Sequence, residues 1–463
     1  MQPLHHRGDS RAARLTRDPP RRDIAPVART SILYRTAVRL GTALAPALAL
    51  ADRKVGEGHR LRRGATARLT AWGAARRDRD RPLVWFHAAS VGEGLQAESV
   101  LLELRRLVPG AQLVYTHFSP SAEPLSRRLP VDAADYLPYD LPGAAERLLG
   151  ALAPDLLVFA KLDLWPELAT RAAARGTVVA LTAATVSAGS GRLRWPARRL
   201  LRAGYAAVTA AGAVSDGDAA RLARLGVPAD RIRVLGDPRF DSAAARVAAV
   251  APDDPLLELG RGAPTLVAGS TWPRDEAALL DAFARLRAQR PDARLIIVPH
   301  EPTGEHLAAL DRRAARAGLP RPVRLGQAEG PVPLLAVDRV GVLAALYGAG
   351  TMAYVGGGFG RAGLHSVLEP AAWGIPVAFG PRWRNSRDAA LLLEGGAAAA
   401  LEARGPRASS GQLLRCWEGW LADEAQRAAQ GRRAREIVAE GLGAALRSAE
   451  MLAALISSRP PRT

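Results

Sequence analysis

The sequence predicts an α/β fold in which two parallel-sheet domains lie in tandem and face each other across a cleft. From Pro82 onward, short apolar runs alternate with helical stretches, which is typical of strand–helix–strand units. A segment rich in Ala, Pro and Asp at 242–262 interrupts this alternation and predicts an interdomain connection, after which the alternation restarts at Thr265. Farther on, the stretch 353–381 places a glycine-rich loop between two apolar runs, as nucleotide sites in such folds do.

The composition describes a folded chain with a strong basic bias. Of 463 residues, 48% are hydrophobic, which allows a sizeable core and suggests two or three domains of about 150 residues. The net charge is +19, but aromatic residues make up only 5%, so the basic and aromatic texture of a nucleic-acid surface is missing. We therefore expect an anionic membrane surface or a phosphorylated substrate, and no nucleic acid. The single cysteine, Cys416, excludes an intramolecular disulfide and fits a reducing cytoplasm.

The N-terminal part of the chain predicts a leader followed by a membrane-associated segment. Residues 1–30 are rich in Arg and Pro, lack apolar periodicity and are predicted to be disordered. The stretch 31–52 is apolar in its second half but too short without charge to span a bilayer, which takes about 20 mostly apolar residues. We predict a segment that lies on a membrane, and the alternative is an amphipathic helix packed on the first domain. The segment is flanked by basic residues: Arg35, Arg39, Arg53 and Lys54.

The apolar and amphipathic segments predict strands and helices in both domains. Strands of the first domain are predicted at 83–88, 113–116, 156–160, 177–182 and 206–211. Helices between them are predicted at 95–107, 143–152, 166–175 and 218–225. Strands of the second domain are predicted at 265–269, 294–299, 332–337, 352–356 and 376–380. An amphipathic helical tail covers 412–457.

The glycine-rich loop of the second domain favours a nucleotide or anion site. Glycine lets the backbone turn sharply and lets a phosphate or sugar approach the main chain closely. Pro370 fits best at a first helical position, which places Glu369 at the N-cap, where its carboxylate caps the helix or binds ligand hydroxyls. A Ser-x-x-Glu capping box starting at Ser366 is the second choice, and glycine turns without a ligand are the alternative. The loop glycines are Gly356, Gly357, Gly358, Gly360 and Gly363.

Two loops at predicted strand ends of the first domain carry candidate catalytic groups. Glu93 stands between two glycines before a helix, so its carboxylate is uncrowded and can act as a general base for a hydroxyl nucleophile. Its alternative role is a helix-start acid that complements the helix dipole. Lys161 is one of two lysines among 64 basic residues. This rarity slightly favours a role that needs an ammonium group instead of a guanidinium group. An ordinary solvated lysine is the alternative.

Two further loops carry groups suited to a nucleotide. Arg239, in GDPRFD, is suited to face a phosphate. His300 follows a predicted strand beside two prolines, where it contacts a base or phosphate or belongs to a simple turn. The Asp-x-Asp matches at 78–80 and 216–218 lie in a connector and at a helix start, and the histidines lack metal-ligand spacing, so no metal is predicted.

These segments together resemble the Kdo transferases, which move 3-deoxy-D-manno-octulosonic acid (Kdo) from CMP-Kdo to a lipid A precursor. The resemblance implies a GT-B architecture with an N-terminal membrane-associated helix, and inverting transfer to lipid IVA in lipopolysaccharide core biosynthesis. It implies no metal or other cofactor, and a location at the cytoplasmic face of the cell inner membrane. It covers roughly 31–446 and rests on motifs in this order: FHAASVGE, YLPYDLPGA, KLDLWPEL, GDPRFD, VAGSTW, VPHEP, GGGFG with LHSVLEPA, and GIPVAFGP.

The resemblance also implies roles for individual residues. Glu93 matches the catalytic base, and Lys161 and Arg239 fall where the family stabilises the transition state. The CMP-binding segments correspond to Pro299, His300, Val340, Gly341, Val342, Ser366, Val367, Leu368 and Glu369. The supporting loops contribute Ser90, Gly92, Gly357, Gly358 and Gly360. The chain departs from the commonest family pattern around four of these positions: Lys161, Arg239, His300 and Ser366.

The resemblance divides the chain into a leader, a membrane segment, two Rossmann-like domains and a tail. The sequence also leaves two other functions open. The first is a GT-B enzyme with another nucleotide sugar, a UDP-sugar transferase or epimerase, and the second is an Arg-rich membrane- or RNA-binding scaffold without activity. The predicted divisions are the leader 1–30, the membrane-associated segment 31–52, an acceptor-binding domain 53–245, a CMP-sugar-binding domain 246–425, and C-terminal helices 426–463 that pack back on the N-terminal domain.

Overall fold

The structure is a computed structural model that describes residues 29–51, 53–360, 363–403 and 405–458. The predicted disordered leader lies outside these ranges except for its last two residues. Of those two, Thr30 is buried and its hydroxyl donates a hydrogen bond to the Glu167 carboxylate.

The first sheet is wholly parallel and has the strand order β3-β2-β1-β4-β5-β6-β7. Its strand order reverses between β1 and β4, and ligands of open α/β sheets bind beyond the strand ends at such a switch point. The strands are β1 Leu83–His87, β2 Gln112–His117, β3 Ala133–Tyr136, β4 Leu156–Ala160, β5 Val178–Ala184, β6 Ala210–Ala213 and β7 Ile232–Val234.

In the ranges that the structure describes, ten α-helices accompany the strands of the first unit, and most of them cover the two faces of this sheet. They are α1 Ile32–Ala51, α2 Arg53–Arg62, α3 Ala65–Arg76, α4 Val91–Leu107, α5 Glu123–Arg128, α6 Pro142–Leu152, α7 Pro166–Ala174, α8 Ala197–Ala206, α9 Asp216–Leu225 and α10 Pro238–Ala248. The predicted division between residues 245 and 246 falls inside α10 and stays a prediction.

The second sheet repeats this plan with the order β10-β11-β9-β8-β12-β13-β14, again wholly parallel. Its strand order reverses between β8 and β12. The strands are β8 Thr265–Thr271, β9 Arg294–Pro299, β10 Val323–Arg324, β11 Leu334–Ala336, β12 Met352–Val355, β13 Val377–Phe379 and β14 Ala398–Ala400.

The remaining helices follow the second sheet, and the last of them returns to the first. Met451 and Leu452 of this last helix join Val100 and Leu104 of α4 in one apolar cluster. The helices are α11 Pro255–Glu258, α12 Pro273–Gln289, α13 Gly304–Arg316, α14 Leu343–Gly348, α15 Leu368–Trp373, α16 Arg387–Glu394, α17 Pro406–Ala422, α18 Glu424–Glu440 and α19 Ala444–Ser457.

The prediction of two parallel-sheet α/β domains is confirmed. Central strands such as β1 and β4 are buried along their whole length and, apart from His87, apolar, as strands covered on both faces must be. The predicted strand at 206–211 is wrong for its first four residues, because Ala206 ends α8 and the strand begins only at Ala210. The segment 242–262 also contains helix, since α10 continues through Ala248 and α11 follows.

Helix α1 packs on the first unit through polar anchors. The Tyr34 hydroxyl donates to Asp140 Oδ2 at 2.7 Å, and Arg35 Nε lies 2.9 Å from Glu167 Oε2. Its opposite face leaves four leucines more than half exposed: Leu33, Leu40, Leu44 and Leu48. Among the described helices, none combines the length and the apolar character that crossing a bilayer requires.

Candidate active site

Glu93 lies at the switch point of the first sheet, in the first turn of α4 directly after β1. Ser90 is the N-cap, and Glu93 Oε2 accepts hydrogen bonds from Ser90 N at 3.1 Å and Ser90 Oγ at 2.9 Å. Glu93 therefore does have the alternative role at the helix start, as part of a capping box with Ser90. The other carboxylate oxygen, Oε1, makes a second contact that is relevant to proton transfer.

Lys161 provides that second contact from the end of β4. Its Nζ lies 3.7 Å from Glu93 Oε1, and its side chain is 45% exposed. Lys161 has φ +60°, a left-handed conformation that is uncommon for a residue with a Cβ and concentrates at functional sites. The turn is held because Lys161 N donates to Thr182 O at 2.8 Å. Lys161 is thus more than a solvated surface lysine.

The electrostatic surroundings raise the pKa of Glu93. Burial is the largest cause, and the nearby Asp163 carboxylate, which also shares a hydrogen bond with Glu93, adds to it. Lys161 and Ser90 act in the opposite direction, because both stabilise the charged carboxylate. Asp163 is itself held by Arg192, whose Nη2 lies 3.1 Å from Asp163 Oδ1. A carboxylate with a raised pKa is better matched to proton abstraction near neutral pH than an ordinary one.

Arg239 belongs to a separate charged cluster. In the first turn of α10, its Nη2 lies 2.7 Å from Asp237 Oδ2, and its Nη1 lies 3.4 Å from Asp388 Oδ1 at the start of α16. Burial alone would lower the pKa of this guanidinium, but the Asp388 and Asp237 carboxylates raise it overall. Within the described residues, Arg239 forms ion pairs with these two aspartates and not with Glu93. It therefore links the first unit to the second.

The glycine-rich loop lies at the switch point of the second sheet, directly after β12. Gly357 has φ +93°, and its N donates to the Asp275 carboxylate at 3.1 Å. A Cβ added at Gly357 would lie 2.3 Å from Gly363 O, and one added at Gly358 would lie 2.7 Å from the Gly380 backbone. At these two positions glycine is required by close backbone packing. Gly360 N closes the turn onto Gly357 O at 3.0 Å.

Three aromatic side chains stack beside this loop. The His300 and His365 rings are 4.3 Å apart at 28°, and Trp272 lies 5.0 Å from His300. Trp272 Nε1 donates to His365 Nε2 at 3.0 Å. Burial, with the neighbouring His300, lowers the pKa of His365 to about 4, so its ring is neutral at physiological pH and can accept this bond. His300 follows Pro299 at the end of β9 and is the exposed member of the stack.

The predicted register of the helix after the glycine loop is wrong. Helix α15 begins at Leu368 with Val367 at the N-cap, so Glu369 lies in the first turn and Pro370 follows it at the third helical position. Proline is tolerated there because the first-turn amides have no intrahelical acceptor. The Ser366 hydroxyl oxygen accepts from Leu368 N at 3.4 Å, and Glu369 Oε1 accepts from Arg246 Nε at 2.6 Å.

The remaining predicted contacts lie in a turn before α14. Gly341 has φ +91°, which favours glycine, and Val340 is 77% exposed. Val342 is the N-cap of α14. Across the described ranges, no three His, Cys, Asp or Glu side chains converge in a way that would hold a metal ion.

Four residues of this arrangement were not singled out from the sequence: Asp163, Arg192, Trp272 and Asp275. Trp272 follows β8 directly, and Asp275 accepts from Trp272 N and Gly357 N, so it joins two loops. The sequence signal that could have identified Trp272 and Asp275 is an aromatic residue and an acidic residue on either side of Pro273, directly after a predicted strand. Arg192 had no sequence signal, because its partner Asp163 lies 29 residues away.

Comparisons with known proteins agree with this geometry. Residues 62–242 match the family model described as 3-deoxy-D-manno-octulosonic-acid transferase (kdotransferase). The 3-deoxy-D-manno-octulosonic acid transferase of Bordetella pertussis is 31% identical over 388 residues, covering 80% of this chain and 86% of that protein. The transferase of the same name from Haemophilus influenzae is 25% identical over 386 residues, covering 80% and 86%.

Solved structures show the same fold at low identity. A UDP-GlcNAc 2-epimerase from Neisseria meningitidis superposes with a TM-score of 0.58 at 11% identity, over 82% of this chain and 100% of that chain. A glycosyltransferase from Rickettsia africae superposes with a TM-score of 0.56 at 12% identity, over 82% and 100%. The architecture is therefore of the GT-B type. By its sequence relatives, the chain belongs to the 3-deoxy-D-manno-octulosonic acid transferase family.

Proposed function

We propose that this chain is an inverting glycosyltransferase that moves Kdo from CMP-Kdo to lipid IVA, a lipid A precursor. Family membership supports the reaction class. The observation that carries the proposal is the Glu93 carboxylate, largely buried with a raised pKa, and held 3.7 Å from the Lys161 ammonium at the switch point of the first sheet. A base placed there suits a hydroxyl nucleophile.

In the proposed reaction, Glu93 takes the proton of an acceptor hydroxyl while the hydroxyl oxygen attacks the anomeric carbon of Kdo. The bond from that carbon to the CMP phosphate oxygen breaks, CMP departs with the electron pair, and the configuration inverts. Lys161 stabilises the ionised form of Glu93 before the proton is taken. Ser90 and the helix start fix the orientation of the carboxylate, which reduces the cost of aligning base and acceptor.

The CMP half of the donor is assigned to the second sheet. The exposed His300, backed by His365 and Trp272, offers a stacking face for a base. The turn around Gly341, and Ser366 to Glu369, complete the proposed CMP site. Arg246 already binds Oε1 of Glu369, so Glu369 would have to accept hydrogen bonds from ribose hydroxyls while it keeps this ion pair.

Arg239 is proposed to stabilise the leaving phosphate. Its side chain is 33% exposed, so the guanidinium can meet a phosphate in addition to its two aspartates. We propose that CMP leaves without a metal ion. In the second Asp-x-Asp match, Asp218 Oδ1 already accepts from Val186 N and pairs with Arg221.

The acceptor is a membrane lipid, and α1 is the proposed membrane contact. Its polar face is anchored to Asp140 and Glu167, while its leucine face is exposed in a chain of net charge +19. Such a helix lies in a bilayer interface, with basic charge favouring anionic lipid. We propose that the enzyme works at the cytoplasmic face of the cell inner membrane.

Product mass spectrometry with CMP-Kdo and a tetra-acylated lipid A precursor tests the proposal. We expect a mass increase of one or more Kdo residues, and at equal reaction times Glu93→Gln should form far less of this product. Absence of any Kdo adduct with wild-type protein in detergent micelles would contradict the proposed function.

A UDP-sugar enzyme is the second candidate, because the fold is shared with UDP-GlcNAc 2-epimerases. Thermal-shift measurements with CMP and UDP separate the two candidates. Stabilisation by CMP supports Kdo transfer, and stabilisation by UDP alone supports the second candidate.

A further inference from the structure

A surface beside α1 combines an exposed tryptophan with arginines that form no ion pair within the described part of the chain. We propose that this surface is a second membrane contact, seated on an anionic bilayer, in addition to α1. We name it the Trp195 patch, and its members are Arg194, Trp195, Arg198, Arg199 and Arg202.

Trp195 is the first observation behind this inference. Its side chain is 79% exposed, whereas every other tryptophan in the described residues is buried or half-buried. An indole ring in water exposes a large apolar surface, and tryptophan is enriched at membrane interfaces, where its ring and its N–H are both satisfied. A single exposed aromatic residue can also be incidental, so the charges around it decide the interpretation.

The charges point to an anionic partner. The four arginines of the Trp195 patch are all exposed, and none has an ion pair among the residues that the structure describes. By contrast, Arg192, a few residues earlier, is paired with Asp163. An unneutralised basic cluster around an aromatic residue suits an anionic lipid surface better than a solvated helix face or an apolar protein partner.

The position of the patch supports a bilayer as the partner. Helix α8, which carries most of the patch, contacts α1, whose leucine face is exposed. A bilayer that covers the leucine face would thus lie close to α8, as the proposed second contact requires.

The same segment is fixed to the proposed active site. Gly204 of α8 packs so closely on the turn after β4 that an added Cβ would lie 2.8 Å from Pro166 Cα. Tyr205 OH donates to Leu162 O at 3.4 Å, and Arg192 holds Asp163. The patch is thus held against the turn that carries Lys161, which would hold the Glu93 carboxylate at a set place relative to the bilayer surface.

Vesicle co-sedimentation of the full chain tests the patch without relying on catalysis. The vesicles are phosphatidylcholine alone, or phosphatidylcholine with one third phosphatidylglycerol, at physiological salt. We compare the wild type with Trp195→Ser and with the double variant Arg198→Ser/Arg199→Ser. The matched control is Arg312→Ser/Arg316→Ser on α13, which removes two exposed arginines from the second unit.

We expect the Arg198/Arg199 variant to bind anionic vesicles about 10- to 30-fold more weakly, because each basic residue at such a surface contributes about a fivefold factor. Trp195→Ser should weaken binding to both kinds of vesicle, and the control should change little. Binding of both patch variants at wild-type strength, or an equal loss in the control, would overturn the inference.

The inference rests on the proposed lipid acceptor, and activity separates the two. In detergent micelles, where no bilayer has to be reached, the patch variants should transfer Kdo at the wild-type rate. On vesicles that contain the acceptor they should be slower. Inactivity of the wild type in micelles, together with patch-dependent vesicle binding, would reject the proposed function and keep the membrane surface.

Discussion

The Lys161 ammonium lies 3.7 Å from the Glu93 carboxylate, and this contact joins the ends of the two strands between which the first sheet reverses its order. Lys161 adopts a left-handed backbone conformation at this point, and Glu93 is fixed by its own helix N-cap. This pair of residues therefore fixes the orientation of the Glu93 carboxylate and places a positive charge beside it, as a general base requires.

Glu93→Gln should lower kcat by about 10²- to 10⁴-fold, because a positioned general base contributes that much and the amide cannot accept the proton. The amide oxygen can still accept the Ser90 hydrogen bonds, so the fold should be retained. Initial rates with CMP-Kdo and the acceptor check this. Glu103→Gln, which removes a surface carboxylate from the same helix, should be near normal. Near-normal turnover of Glu93→Gln would show that another group takes the proton.

The pH dependence of kcat/KM should carry the signature of the same carboxylate. Glu93 acts ionised, and its pKa is raised by burial and Asp163, so activity should fall as the pH drops through that raised pKa. Asp163→Asn removes a like charge, lowers the pKa of Glu93 and should move the acid limb to lower pH. Lys161→Met removes an opposite charge, raises the pKa and should move the acid limb to higher pH.

The two shifts should therefore have opposite signs, and pH–rate profiles of the variants measure them. Shifts in the same direction would show that the limb belongs to another group.

Arg239→Gln should destabilise the fold as well as slow transfer. Asp388 and Asp237 are buried and would lose their counter-charge. Removing one partner of a buried pair costs about 3–5 kcal/mol, and because Arg239 is one-third exposed we expect about 2–3 kcal/mol. Urea unfolding measures this loss. The double variant Arg239→Gln/Asp388→Asn should recover stability, and if transfer recovers with it, Arg239 is structural and not a phosphate ligand.

Trp272→Phe tests the aromatic stack at the proposed CMP site. The phenyl ring keeps much of the stack but cannot donate to His365, whose Nε2 is then left without this partner. Loss of this hydrogen bond removes about 1 kcal/mol that fixes the orientation of the stack, and if CMP binding must supply that energy instead, CMP should bind about fivefold more weakly by calorimetry. Trp72→Phe, a half-buried tryptophan in the first unit, is the control and should leave CMP binding unchanged.

The sequence predicted the central strands well and the edge strands poorly, for a physical reason. Buried strands such as β4 read as unbroken apolar runs, and the prediction for 156–160 agrees with Leu156–Ala160. The edge strands β3, β7, β10 and β14 are two to four residues long and partly exposed, so no burial pattern marks them.

The site shows the same division between local and long-range information. Glu93, Lys161 and His300 follow buried strands, and parallel sheets bring such ends to one edge, so their candidacy was visible. The position of Glu369 in its helix could not be predicted in the same way. Proline is tolerated throughout a first helical turn and not only at its first position, so Pro370 does not fix where the helix begins. The pairing of Arg239 with Asp388 depends on how the two units meet, which no local pattern contains.

Two glycines that read alike in the sequence should behave in opposite ways when each is changed to alanine. Gly357 has φ +93°, and its added Cβ would meet Gly363 O at 2.3 Å, so Gly357→Ala should cost about 1–3 kcal/mol and weaken CMP binding by distorting the loop. Gly92 lies in the first turn of α4 with open space around its missing Cβ. Gly92→Ala should therefore stabilise the fold by about 0.4–1 kcal/mol.

If the open space beside Glu93 receives the acceptor, the methyl group of Gly92→Ala will occupy part of it. We then expect a higher KM for the lipid acceptor with an unchanged KM for CMP-Kdo, measured by steady-state kinetics in micelles. Gly357→Ala should show the reverse, a higher KM for the donor alone. An unchanged acceptor KM in Gly92→Ala would mean that the acceptor approaches Glu93 from another side, because outside its own helix turn the added methyl group meets no protein atom within 4 Å.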